Sequence, residues 1–213
     1  MQIYRYRSAD PTKILTRREL AAVLVDLRRK APRSKNTRLN LAVFRLAACC
    51  GLRASEIAKL QLADVRTEVA RPHLRIRNGA SKGGRPRIVP LWWDAGTLAD
   101  LSAWKNERLA QRGGADQSFV ASMRPGRGDK AFSRHTLRKR FRTACKVLGA
   151  ERLKSLTIHH GRHTFISHAL AGGRTLAEVR DAVGHSNVSI TSAYIHVAVD
   201  DDHELGSLFE FER

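Results

Sequence analysis

The sequence predicts a mainly helical α+β domain that carries one small antiparallel β-sheet. Two patterns and one composition lead there. Apolar residues recur at i, i+3, i+4 and i+7 along most of the chain, whereas residues 71–91 alternate with period two on both sides of a turn-rich centre. With 42% hydrophobic and 28% charged residues, the chain has globular composition, so its charge is not that of a disordered basic tail. Its 213 residues suffice for one domain with a sizeable core.

Taken in order, Thr16-Arg17-Arg18-Glu19 is a capping box, and Leu20, Val23, Leu24 and Leu27 line one face of a helix over 17–30. Pro32 and the polar residues up to Asn36 break it. Leu39, Val43, Leu46 and Cys50 then form a second apolar face that ends at Gly51, and a short third helix starts near Ser55. Leu74–Arg77 and Arg87–Leu91 flank a glycine-rich tip and read as a β-hairpin. Further helices are expected over 94–112, 134–148, 159–171, 175–183 and 188–196, before an acidic and then apolar tail. Cys49, Cys50 and Cys145 cannot all pair and sit in apolar stretches, which predicts reduced core thiols.

The charge is extreme: 39 Lys+Arg against 20 Asp+Glu give +19. An excess of this size points to a polyanionic partner, nucleic acid first and an anionic membrane second. No apolar run is long enough to span a bilayer and no apolar segment follows the amino terminus, so neither a membrane span nor a secretory signal is expected. The expected location is the cytoplasm, on the nucleoid.

Three islands hold polar residues that periodicity does not require. In Gly51–Ile57, Arg53 opens a helix, where its guanidinium fork and the free N–H groups of the first turn suit a phosphate; a solvated surface arginine is the plainer reading. In Ser81–Arg87, Lys82 sits on a glycine-rich arm, able to deliver a proton to a leaving oxygen or simply to hold a phosphate. The third island is His159-His160-Gly161-Arg162-His163, followed by Gly184-His185 and Tyr194-Ile195-His196. His159 and Arg162 share a helical face at i, i+3. His159 and His163, at i, i+4, raise a metal site, but the His-Glu-x-x-His pattern is missing and the cluster contains no carboxylate or cysteine pair, so no metal is expected.

Taken together, Gly51–Ile57 with Asp64-Val65, the hairpin Lys82–Leu91, His159-x-x-Arg162-His163-Thr164-Phe165 and Gly184-His185-Ser186, with His185 nine residues before Tyr194, resemble the tyrosine recombinases, or phage integrases, over roughly residues 14–198. The resemblance implies a tyrosine-recombinase catalytic-domain fold. It makes Arg53 and Arg162 the phosphate-binding arginines, Lys82 the hairpin lysine, His159 and His185 the site histidines, Tyr194 the nucleophile and Glu56 an accessory carboxylate. Glu56 is equally a first-turn acid that suits the helix dipole. Arg77, Arg85 and Arg87 of the hairpin and Arg138 and Arg140 of the helix at 134–148 are expected to meet DNA.

The groups support such chemistry. A tyrosine with an unperturbed pKa of about 10 needs a proton acceptor, for which His159 is the candidate, while two arginines offset charge developing on the phosphate. Lys82 would protonate the departing 5′-oxygen and His185 would hydrogen-bond the phosphate, leaving a 3′-phosphotyrosyl link. One phosphodiester replaces another, so neither ATP nor any other cofactor is expected. The implied partner is double-stranded DNA with inverted-repeat sites, bound by a tetramer. A type IB topoisomerase-like relaxing enzyme and a catalytically silent DNA-binding protein are the alternatives.

Two departures from the family pattern stand out. Gly161 occupies a position where relatives carry an apolar residue, which predicts about 1 kcal/mol less helix propensity and a lost core contact. The usual amino-terminal core-binding domain is missing, as in short, catalytic-domain-only members or a fragment of a longer protein. The expected organisation is an extension over 1–15, a catalytic domain over 16–199 and a tail over 200–213 that docks on a neighbouring protomer or, alternatively, on its own domain.

Overall fold

A computed structural model describes residues 10–80, 85–111, 114–122 and 131–195. The hairpin tip with Lys82, the tail over 200–213 and His196 lie outside the described residues. Thr16 starts the first helix as expected: its hydroxyl accepts the Glu19 N–H (3.1 Å) and Glu19 accepts the Thr16 N–H (2.9 Å). Helix α1 (Arg17–Lys30) buries Leu20, Val23, Leu24 and Leu27, the predicted face.

The second apolar run is not one regular helix. Helix α2 (Lys35–Phe44) widens into a π-helical turn over Arg45–Cys49 before α3 (Ala54–Lys59) begins. The wide turn sends the Arg45 side chain inward, fully buried, where it donates to Asp94 (3.2 Å), Thr97 (3.1 Å) and Asp100 (2.8 Å). Asp94 in turn caps α4 (Ala95–Ala110) by accepting the Thr97 N–H at 2.7 Å. A buried charge is tolerable only when it is paired, and here one arginine, through Nε and Nη1 with Nη2 left without an acceptor among the described residues, ties the end of α2 to the start of α4.

The hairpin is the core of a three-stranded antiparallel sheet, β1 (Val65–Arg66), β2 (His73–Ile76) and β3 (Arg87–Pro90), in that order. Leu74 pairs with Val89 and Ile76 with Arg87, so Leu74, Ile76 and Val89 face the core. Two-residue β1 is too short to show an alternation, which is why sequence pattern missed it.

Helix α5 (Arg134–Ala144) ends in a 3-10 turn over Cys145–Leu148 and leads to α6 (Gly149–Ser155), also unanticipated, because α6 buries no residue and so has no apolar stripe. Helix α7 (Ile158–Ala171) is buried on nearly all sides, packed on the π-turn, α5 and α8 (Leu176–Val183); the last helix is α9 (Val188–Ser192). A Cβ at Gly161 would lie 3.0–3.1 Å from the backbone and Cβ of Ala47 in the π-turn. The missing side chain is thus no hole in the core. It is where two backbones touch, and this corrects the expectation of a lost contact.

Cys49, Cys50 and Cys145 are free and buried, as expected, and burial pushes their thiols up. Among the described residues no helix is long and apolar enough to cross a membrane.

Candidate active site

Arg53 precedes α3 in extended conformation, and Glu56 in the first turn of that helix reaches back to accept the Arg53 N–H (2.9 Å) and its guanidinium (3.1 Å). The same carboxylate receives both Nη groups of Arg87 from β3, at 3.0 and 2.9 Å. Burial opposes ionisation of Glu56, but the hydrogen bonds and charge of Arg87 prevail and hold its carboxyl below the usual range. Glu56 therefore fixes two arginines at once, leaving the Arg53 side chain partly exposed.

Arg87 also donates Nε to the Ala182 carbonyl of α8 at 2.8 Å. This corrects its expected place on the DNA-facing surface: Arg87 is a buried strut between the sheet, α3 and α8. The next carbonyl of α8, Val183, accepts from Arg162 at 2.6 Å, and Gly51 O accepts from the same guanidinium at 2.7 Å. Two arginines thus occupy carbonyls that the end of a helix leaves without partners. Gly184 closes α8 in the left-handed region (φ 68°), and a Cβ there would run into Arg87. The chain then turns so that His185 Nδ1 meets the buried Thr191 hydroxyl at 2.9 Å.

Arg162 feels burial first and the Arg53 cation second, both of which destabilise its charge, with Glu56 opposing them. His185 is held down to about 4 by burial and by the cations of Arg162, Arg53 and Arg87. Arg162 bonds Gly51 O two residues before Arg53 and Val183 O two residues before His185, and Arg87 bonds Glu56 and Ala182 O, so the start of α3, β3, α7 and the α8–α9 corner are drawn together.

Tyr194 follows α9 in a turn and is largely buried beside Arg162, whose charge favours the phenolate while burial, the stronger effect, raises the phenol's pKa. Its hydroxyl hydrogen-bonds to Nδ1 of His163, and the two rings stack with centroids 5.6 Å apart at 24°. His159, the expected proton acceptor, is exposed on α7 and is lowered by burial, Arg138, Arg162 and Arg53 in that order. The structure thus sets His163, and not His159, against the phenol. Sequence reading weighed His163 only as a metal ligand. Its signal was its place directly after Arg162 and one turn beyond His159.

A further histidine of α7 is structural. His168 is fully buried with Nε2 at 2.8 Å from Leu15 O, and Thr164 accepts the Leu15 N–H at 2.9 Å, pinning the chain before α1 onto α7. Among the described residues no group of three or more His, Cys, Asp or Glu side chains is placed to hold a metal ion.

Of the other arginines expected to meet DNA, Arg77 donates to Asp64 (2.8 Å) yet stays partly exposed. Arg140 donates to Asn40 (3.3 Å) and Asn36 (3.0 Å) and covers the Phe132 ring. Arg85 and Arg138 are exposed, Arg85 at the mouth of a recess of about 440 Å³ shared with Arg87, Arg180, His185 and Asn187.

The phage integrase family profile matches residues 13–200. Tyrosine recombinase XerC of Chromobacterium violaceum is 35% identical over 162 residues, 76% of this chain and 48% of the relative. Tyrosine recombinase XerD of Listeria monocytogenes is 28% identical over 156 residues, 73% of this chain and 49% of the relative. The chain thus spans about half the length of the curated relatives it matches. The fold is shared with XerA recombinase (TM-score 0.69, 20% identity, 93% of this chain and 61% of that one). It is shared too with the XerH site-specific recombinase bound to its difH substrate before cleavage (TM-score 0.66, 22% identity, 86% and 50%). With a family match over most of its length and the fold of its catalytic domains, the chain belongs to the phage integrase family of tyrosine recombinases.

Proposed function

We propose that the chain acts as the catalytic domain of a site-specific DNA recombinase, cleaving and rejoining double-stranded DNA through a 3′-phosphotyrosyl intermediate at Tyr194. The observation that carries this reading is the convergence of Tyr194, Arg53, Arg162 and His185 from four separate parts of the chain. Two guanidinium groups offset the charge of a five-coordinate phosphorus, the neutral imidazole of His185 donates a hydrogen bond to it, and Lys82 protonates the leaving 5′-oxygen. Glu56 and Arg87 orient Arg53 and the α8 end. On this reading His159 contacts the phosphate.

The partner on this reading is DNA with paired inverted-repeat sites bound by four protomers in the cytoplasm, and the crystal complex of XerH with difH supports the DNA part by analogy. The exposed apolar Val188, Ile190 and Ile195 flanking Tyr194 suit the arriving tail, residues 200–213, of a neighbouring protomer. A duplex nicked just beyond the cleavage position tests the activity: the wild-type chain should become covalently attached to DNA on a denaturing gel, and Tyr194→Phe should bind without attaching. A covalent band that persists in Tyr194→Phe would overturn the assignment of the nucleophile.

A further inference from the structure

We propose that His163 is the catalytic base for Tyr194, taking the phenolic proton on Nδ1 as Oη attacks the phosphodiester. The proposal rests on the recombinase reading above and assigns the proton's destination within it. It departs from the assignment by motif, which gives this role to His159.

Geometry carries the inference. Tyr194 Oη and His163 Nδ1 are hydrogen-bonded, and the near-parallel rings, with centroids 5.6 Å apart, set the phenol hydroxyl at the imidazole edge where the Nδ1 lone pair lies. On this proposal Oη is the donor: Nδ1 is then the unprotonated nitrogen, the ring proton sits on Nε2, and a lone pair is aimed at the proton to be removed. Both residues are held by rigid neighbours: His163 by the buried helix α7, and Tyr194 by the turn whose N–H bonds back to Thr191 O at 3.1 Å.

The charges around His163 fit the same role. The groups that face it are His159, His160 and Arg162 of its own helix, Lys13 from the turn before α1, and His185 from the α8–α9 corner. None is acidic. Burial, followed by these neighbours, holds His163 down to about 4, so the ring is neutral and ready to accept at neutral pH. An imidazolium in this setting lacks a counter-charge until an anionic phosphate arrives, so proton transfer is coupled to DNA being in place.

The step balances. The Oη–H bond breaks, its proton passes to Nδ1, and an oxygen electron pair forms the Oη–P bond. The P–O5′ bond breaks with its pair on the 5′-oxygen, which takes a proton from a cationic acid, Lys82 on the present reading. In the reverse step the His163 imidazolium returns its proton to Tyr194 as a 5′-hydroxyl attacks phosphorus.

The test is single-turnover cleavage of the nicked duplex across about pH 5.5–8.5 by wild type, His163→Gln and His159→Gln. Wild type should be flat over this range with respect to the base. His163→Gln should cleave at least about 100-fold slower, with a rate that climbs about tenfold per pH unit because the phenol must ionise unaided. His163→Ala should regain rate with added imidazole. His159→Gln should be slower without acquiring that slope. A flat profile in His163→Gln, or the slope appearing in His159→Gln instead, would overturn the proposal.

A second readout needs no DNA. In a ¹⁵N NMR titration of the imidazoles, Tyr194→Phe should raise the His163 midpoint, since the lost phenol hydrogen bond favoured the neutral ring; an unmoved midpoint would overturn the pairing. Absence of any adduct from wild type would overturn the recombinase reading and the catalytic role with it, while the titration still reports the Tyr194–His163 pair separately.

Discussion

Arg87 and Glu56 meet at two points inside the protein, Nη1 to Oε1 at 3.0 Å and Nη2 to Oε2 at 2.9 Å, with 7% and 0% of their side chains exposed. The pair links β3 to α3, and through Arg87 Nε it reaches the end of α8. Three of the elements that carry site residues are therefore braced by one ion pair.

Removing either partner should be costly. Arg87→Met leaves a buried carboxylate and Glu56→Gln a buried guanidinium with a weaker partner, and such changes typically cost about 3–5 kcal/mol. The direction of the Glu56 shift fixes the pH dependence. Its folded pKa lies below the ordinary value of 4.5, so its contribution is present above that value and is lost as pH falls through the folded pKa. Urea titrations should show wild type losing more stability than Glu56→Gln on acidification below about pH 4.5. Equal acid sensitivity in the two proteins would contradict a net favourable pair.

Gly161 supplies a test with opposing terms. Alanine gains about 1 kcal/mol of helix propensity, but its Cβ meets Ala47 backbone atoms that cannot rotate away, and overpacking costs about 1–3 kcal/mol. Clearance of 3.0–3.1 Å makes the second term the larger. Gly161→Ala should lower Tm modestly, and Gly161→Leu should lower it much more. A more stable Gly161→Leu protein would show that the α7 contact with the π-turn yields easily.

How much of this was legible in the sequence follows from the reach of each signal. Capping and periodicity are local, so α1 was read to the residue and α7 and α8 to within one. Arg87 was legible too, had strand parity been applied: it shares its face with Val89, which is buried, while Ile88 points outward. The π-turn was not legible, because the extra residue is stabilised by Asp94, Thr97 and Asp100, about fifty residues away. The placement of His163 against Tyr194 was hidden for the same reason. Helical spacing says which residues share a face, whereas which of them meets a tyrosine some thirty positions on is set by how α8 and α9 fold back.

Arg45 can be removed to test how the π-turn is held. Arg45→Met would take from Asp94 its ion pair with Arg45 and would remove one of the two arginines that donate to Asp100, leaving Arg28 at 3.2–3.3 Å. A loss of about 3–5 kcal/mol is expected, partly recovered when Asp94 is also replaced by Asn, which keeps an acceptor for the Thr97 N–H. Chemical denaturation of the two variants and their combination measures this, and fully additive losses would rule out coupling between Arg45 and Asp94.

The arginines sort into two kinds by what they already touch, and this divides their effects on DNA binding. Arg85 and Arg138 are exposed beside the site: Arg85 opens on the recess with His185, and the charge of Arg138 is felt by His159. Arg38, by contrast, is engaged by Glu107 at 2.6 Å between α2 and α4. A phosphate contact releases counterions when it forms, so losing one should reduce the slope of log K against log salt by about 0.9. Arg85→Gln and Arg138→Gln should each lower the slope by about that amount and weaken binding to specific and random duplexes alike, because phosphate contacts carry no sequence information. Arg38→Gln removes the same formal charge from a chain of net +19 and should leave the slope nearly unchanged, since long-range attraction is screened beyond about 8 Å at physiological salt. Fluorescence anisotropy over a series of salt concentrations decides the matter. Equal slopes for all three variants would mean that net charge, rather than the Arg85 and Arg138 side of the site, governs DNA association.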